Sequence, residues 1–156
     1  MQIVLETAAN ATREAAEALA RNLRAMPSER QVWRALDTGR SALEQVAECA
    51  VINLWMADVL QARAVPPMDA DRYARLKAEY DTVEKALLGL EASAAAVAAS
   101  IEVFPEEHLR DTVEMPYRPG VQQSFASLLF AAEWNMVYHY GQVAFIQTLY
   151  GDQEMH

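Results

Sequence analysis

A chain of 156 residues, 53% hydrophobic and 22% charged, has the length and composition of one globular domain with its own core. Asp and Glu outnumber Lys and Arg by 22 to 13, a net charge of −9 with no basic cluster, which argues against nucleic acid and anionic membrane surfaces as partners. One cysteine, Cys49, excludes an internal disulfide and a multi-cysteine zinc site, and no apolar run reaches the roughly 20 residues of a membrane span.

The first element is a helix. Leu5, Ala8, Thr12, Ala15, Leu19, Leu23 and Met26 recur at three- and four-residue steps, and Pro27 lies just past its end. This opening segment has no basic flank or cleavage site, so it reads as a helix and not a leader, and the expected compartment is the cytoplasm.

A second helix opens within "TGRSALEQVAECAVINLWMADVLQAR", where Ser41-x-x-Glu44 has the form of a capping box; Pro66 and Pro67 close it. From Ala47 to Leu60 only Glu48, Asn53 and Asp58 are polar. A helix apolar all round is buried all round. Its outer side, carrying Cys49, Ile52 and Met56, is therefore expected to meet a second copy in a homodimer, or to lie under the first helix and the 103–120 segment.

Asp69 then caps a long third helix, whose seam runs Tyr73, Leu76, Tyr80, Val83, Leu87, Leu90, Ala94, Val97, Ile101. Residues 103–120 hold three prolines and break the pattern, with room for a short extended stretch. The fourth helix is expected from about Gln122 to Tyr150, with Gly151 as its stop. Four helices with a long irregular connection before the last make an all-α four-helix bundle, one domain over residues 1–156.

The familiar catalytic signatures are missing: no G-x-S-x-G elbow, no P-loop, no His-Glu-x-x-His, and no Glu-x-x-His pair of the di-iron bundles. What remains is "EWNMVYHYGQ", residues 133–142. On a helical wheel Leu128, Ala132, Asn135, His139, Gln142, Val143 and Ile146 share one face. Three of these are polar, and buried polar groups need partners. Glu48, at the edge of the second helix's inward face, is the candidate partner across the core.

The stretches "GRSALEQVAECAVIN" and "WNMVYHYGQVAFIQTLYGD" resemble the second and fourth helices of the DinB-like (DinB/YfiT) superfamily of predicted metalloenzymes. The resemblance covers nearly the whole chain and implies a four-helix bundle, frequent homodimerisation and a divalent metal held by three histidines. It also implies chemistry on a small-molecule substrate, of the thiol S-transferase or hydrolase type. By the same resemblance His139 stands at the second histidine of His-x-x-x-His, Asn135 stands at the first, and Glu48 stands where the second-helix histidine is expected.

Two readings stay open. In one, His139, Glu48 and Asn135 hold a divalent ion (zinc, nickel, manganese or iron), with the weak amide donor favouring a harder ion or loose zinc binding. Trp55, Trp134 and Tyr138 are then candidates to wall the substrate pocket. In the other there is no metal: Glu48 and His139 form a hydrogen-bonded pair in a non-catalytic homodimeric bundle, as a structural network or small-ligand pocket.

Overall fold

The computed structural model describes residues 2–36 and 38–156. The fold is all-α apart from one small hairpin. In chain order it comprises α1 (Gln2–Ala25), α2 (Ser28–Gln31), α3 (Ala42–Ala62), α4 (Ala70–Ala78), α5 (Val83–Glu102), β1 (Thr112–Glu114), β2 (Gln122–Ser124), α6 (Phe125–Leu128) and α7 (Ala131–Leu149), with a 3-10 turn at Glu106–His108. Among the described residues no helix is long and apolar enough to cross a membrane.

The four long helices carry the core. Both α5 and α7 pack against α1 and against α3, which leaves α1 and α3 facing each other across a diagonal. Toward one end Trp55, Met56, Leu60, Val97, Ile101, Met115, Phe125 and Leu128 form one buried cluster. Toward the other, Leu19, Leu23, Val46, Cys49, Leu90, Met136 and Val143 form a second.

Local sequence sets the start of α3. Ser41 Oγ accepts from Glu44 N at 3.2 Å, and Glu44 Oε2 accepts from Ser41 N at 2.8 Å, so the expected capping box forms with both bonds.

The expected third helix is two helices. It stops at Ala78 and restarts at Val83, where Thr82 Oγ1 accepts from Lys85 N at 3.3 Å as a new cap. The break serves packing, because the Tyr80 ring lies against Gly89. In a continuous helix nine residues would separate these two by about 13.5 Å, so contact requires the chain to turn. The even seam conceals the break because both halves turn it inward, partly buried in α4 and more fully in α5.

The last helix also begins later than expected. Residues 122–124 pair as β2 with β1, antiparallel, in the register Thr112↔Ser124, Val113↔Gln123 and Glu114↔Gln122. Phe125 N and Ala126 N extend the lock to Asp111 O and Leu109 O at 3.0 and 2.9 Å. The 103–124 connection is thus a tied-down hairpin, with Met115 fully buried beneath it.

Much of the outer side of α3 is already covered within one chain. Cys49 and Met56 are 0% and 2% exposed within a single chain, and Ile52 is partly buried. Val65 and Met68, after the helix, pack on the core, and the Trp55 indole donates to Pro66 O at 2.9 Å. Tyr73 of α4 lies beside Glu48 and Cys49. The segment 65–78 therefore adds cover beside that expected from the first helix and the 103–120 connection, which bring Leu19 and Leu23 into the cluster of Cys49 and Met115 into that of Met56.

Candidate functional site

The buried polar residues of α7 meet α3 at one point. His139 is 1% exposed. Its Nδ1 lies 2.6 Å from Gln45 Oε1 and 3.1 Å from Gln142 Oε1. Both neighbours are acceptors, so Nδ1 carries the hydrogen and donates. That leaves Nε2 turned toward α3, 3.4 Å from Glu48 Oε1. The other oxygen of Glu48 is paired with Arg40 Nη1.

Glu48 is a perturbed acid. Burial pushes its carboxyl upward, yet the hydrogen bond and charge of His139, followed by the charge and hydrogen bond of Arg40, hold it down to about 2. Its negative charge acts on its neighbours. The Tyr73 phenol is pushed up to about 12 by burial and then by the Glu48 carboxylate. The Cys49 thiol is pushed well above its ordinary value by burial and then by the same carboxylate, which removes it as a nucleophile at neutral pH.

Asn135 sits one turn before His139 on the same face of α7. Its Oδ1 is buried without a hydrogen-bond partner, an arrangement that costs about 1–3 kcal/mol unless something else meets the atom. Asn135 and Glu48 share the wall of a cavity of about 720 Å³, within the usual range for small-molecule sites. Three parts of the chain enclose this cavity. Ile52, Trp55 and Met56 come from α3, Phe130 and Trp134 come from the start of α7, and Tyr117, Arg118 and Gln123 come from the hairpin.

These residues fit a divalent ion on three counts. Two ligand atoms each about 2.0–2.1 Å from a tetrahedral ion lie roughly 3.3–3.4 Å apart, and Nε2 and Oε1 are separated by 3.4 Å. As a direct N–H···O hydrogen bond the same distance is long. The opposite ring nitrogen is fixed by amide oxygens, the second layer of support that metal-ligating histidines use. The orphaned Asn135 Oδ1, one helical turn before His139 and on the wall that Glu48 shares, is the candidate third donor. Arg40 opposes the fit, since its charge repels a cation held at Glu48. Among the described residues no group of three or more His, Cys, Asp or Glu side chains gathers, so the candidate set rests on one imidazole, one carboxylate and one amide.

The residues singled out in the sequence thus divide. Glu48 and His139 come together, and Asn135 lines the same cavity as Glu48. Trp55 and Trp134 also line it, whereas Tyr138 is half exposed and stacks on Trp134 at 5.7 Å. His108 is bound to Asp111 in the connection, Nδ1 to Oδ2 at 2.6 Å. Sequence reasoning missed Gln45, Arg40 and Tyr73. Gln45 was within reach, because it lies three residues before Glu48 and so shares its helical face. Arg40 and Tyr73 approach from outside α3, so the spacing within α3 gives no sign of them, and the seam that carries Tyr73 does not say what it meets.

Comparison with known proteins matched no family model and gave no significant match among curated proteins.

Proposed function

We propose that this chain is a DinB-like four-helix bundle that carries out metal-dependent chemistry, of the thiol-transfer or hydrolysis type, on a small molecule in the cavity between α3, α7 and the hairpin. The four long helices and the long connection before the last of them support the bundle and the family reading. One observation carries the functional reading: His139 Nε2 faces Glu48 Oε1 at 3.4 Å with Nδ1 already engaged, beside an unpartnered Asn135 Oδ1.

In this reading His139, Glu48 and Asn135 hold one divalent ion. When bound, such an ion supplies Lewis acidity that lowers the pKa of water or a thiol, the step both reaction types require. The chain's own groups prepare the place. Gln45 and Gln142 hold the imidazole with its Nε2 aimed at Glu48, and Arg40 holds the carboxylate by one oxygen. Trp55, Met56 and Phe130 keep that end of the cavity apolar, which strengthens electrostatic interactions within it.

The proposed protein acts as a homodimer in the cytoplasm. Trp134, Val137, Tyr138, Phe145 and Leu149 are 49–66% exposed and lie on one side of α7, an apolar stripe that a second copy would cover.

A second reading is favoured by Arg40. Its ion pair satisfies Glu48 without a metal, leaving a polar network beneath a ligand pocket in a non-catalytic homodimer.

Metal analysis separates the two. Protein loaded with zinc, nickel, manganese or iron(II) and freed of excess metal should retain close to one ion per chain. His139→Ala should lose it, and Arg40→Ala should bind more tightly by relief of charge repulsion. Absence of retained metal under every condition, with His139→Ala destabilised by loss of the imidazole's contacts with Glu48 and Gln45, would establish the network reading instead.

A further inference from the structure

The cavity contains more unmet polar chemistry than a metal site uses. Gln123 Nε2 is buried at its wall with no hydrogen-bond partner, a donor left as empty-handed as the acceptor of Asn135. Arg118, from the same hairpin, is the only cation lining the cavity and has no ion-pair partner among the described residues. The one anion of the lining among the described residues, Glu48, already has Arg40. A protein with a net charge of −9 therefore presents an uncompensated positive group in the same lining as an orphaned N–H donor.

From this we infer that the cavity takes an aromatic or branched apolar carboxylic acid, its carboxylate received by Arg118 and Gln123 and its body lying against Trp55, Phe130 and Trp134. A guanidinium and a primary amide together match the two oxygens of a carboxylate. One cation is too few for a phosphate dianion in a cavity that also contains Glu48. The aromatic walls supply most of the contact area, and the polar pair fixes orientation. The inference rests on the pocket half of the proposed function, that the cavity receives a small molecule, and is independent of the metal.

The three tryptophans make the test direct. Trp55 and Trp134 line the cavity, while Trp33 packs against Tyr150 and Arg30 elsewhere and serves as an internal control. Phenylacetate, 4-phenylbutyrate and 2-naphthylacetate, each beside its primary amide, are titrated into uniformly nitrogen-15-labelled protein while the indole N–H resonances are followed. Affinities are then measured by calorimetry.

At least one acid should shift Trp55 and Trp134 but not Trp33, and should bind about tenfold more tightly than its amide. Arg118→Gln, an exposed substitution, should abolish that preference, and Gln123→Leu should weaken it severalfold. The preference should survive chelation of all metal and the His139→Ala substitution, so failure of the metal reading leaves it standing. Equal binding of acid and amide, a preference that survives Arg118→Gln, one that disappears with the chelator, or no response at Trp55 and Trp134 would each overturn the inference.

Discussion

His139 Nδ1 and Gln45 Oε1 lie 2.6 Å apart, joining α7 to α3 across 94 residues of sequence, with both side chains buried. The bond holds Nδ1 as a donor to Gln45 and so turns Nε2 toward Glu48. Gln45→Leu removes the principal acceptor and leaves only Gln142 at 3.1 Å. Divalent-ion affinity in this variant should fall about 10–100-fold, as when other outer partners of metal-bound histidines are removed. Calorimetric titration with zinc or nickel measures it; an unchanged affinity would count against the imidazole as a ligand.

Glu48 predicts a pH dependence whose sign follows from its depressed pKa. A carboxyl held at about 2 when folded contributes stability above its ordinary value of 4.5 and loses it as pH falls toward 2. In chelator-treated protein, Glu48→Gln should cost roughly 2–3 kcal/mol at neutral pH, a shift of this size reduced for partial solvation. That cost should shrink through the acid range and vanish near the folded pKa. Urea denaturation of both proteins at matched pH gives the difference, and a pH-independent gap would show that the charge is not responsible.

Gly89 has a steric reason to be glycine. A Cβ there would overlap the Tyr80 ring. Gly89→Ala should therefore destabilise the fold by about 1–3 kcal/mol despite alanine's better helix propensity. With Tyr80→Ala already in place, the same change should stabilise by up to about 1 kcal/mol. A thermal-unfolding double-mutant cycle reads the reversal; a loss in both backgrounds would assign the glycine another role.

The exposed stripe of α7 makes the homodimer testable at one residue. Phe145 is 63% exposed in the C-terminal half of the stripe, so Phe145→Glu should convert a dimer to monomer while leaving helix content unchanged. Light scattering coupled to size exclusion gives the mass of each. A wild-type chain that is already monomeric, or a variant that remains dimeric, would remove the stripe as the interface.

Most of the helices are legible from local spacing, but their breaks are not. The Thr82 cap and the Asp81-Thr82 pair stand in the sequence before an apolar run, yet an uninterrupted seam over 73–101 overrides that weak local cue. The turn follows from Tyr80 closing on Gly89, a tertiary contact. Gln122–Ser124 likewise continues a helical pattern by composition but is drawn into a ladder by Thr112–Glu114.

By itself the sequence determined the helical character of the chain, the capping box at Ser41 and Glu44, and the burial of His139. Each depends on residues within a few positions of one another, where helix geometry dictates the neighbours. Tertiary structure decided that 65–78 covers α3, that Gln45 and Arg40 engage the two ends of the His139–Glu48 pair, and that the hairpin brings Arg118 and Gln123 to the cavity. The physical reason is range: a helix fixes which face a side chain occupies, whereas only the packing of one helix on another fixes which polar group meets it there.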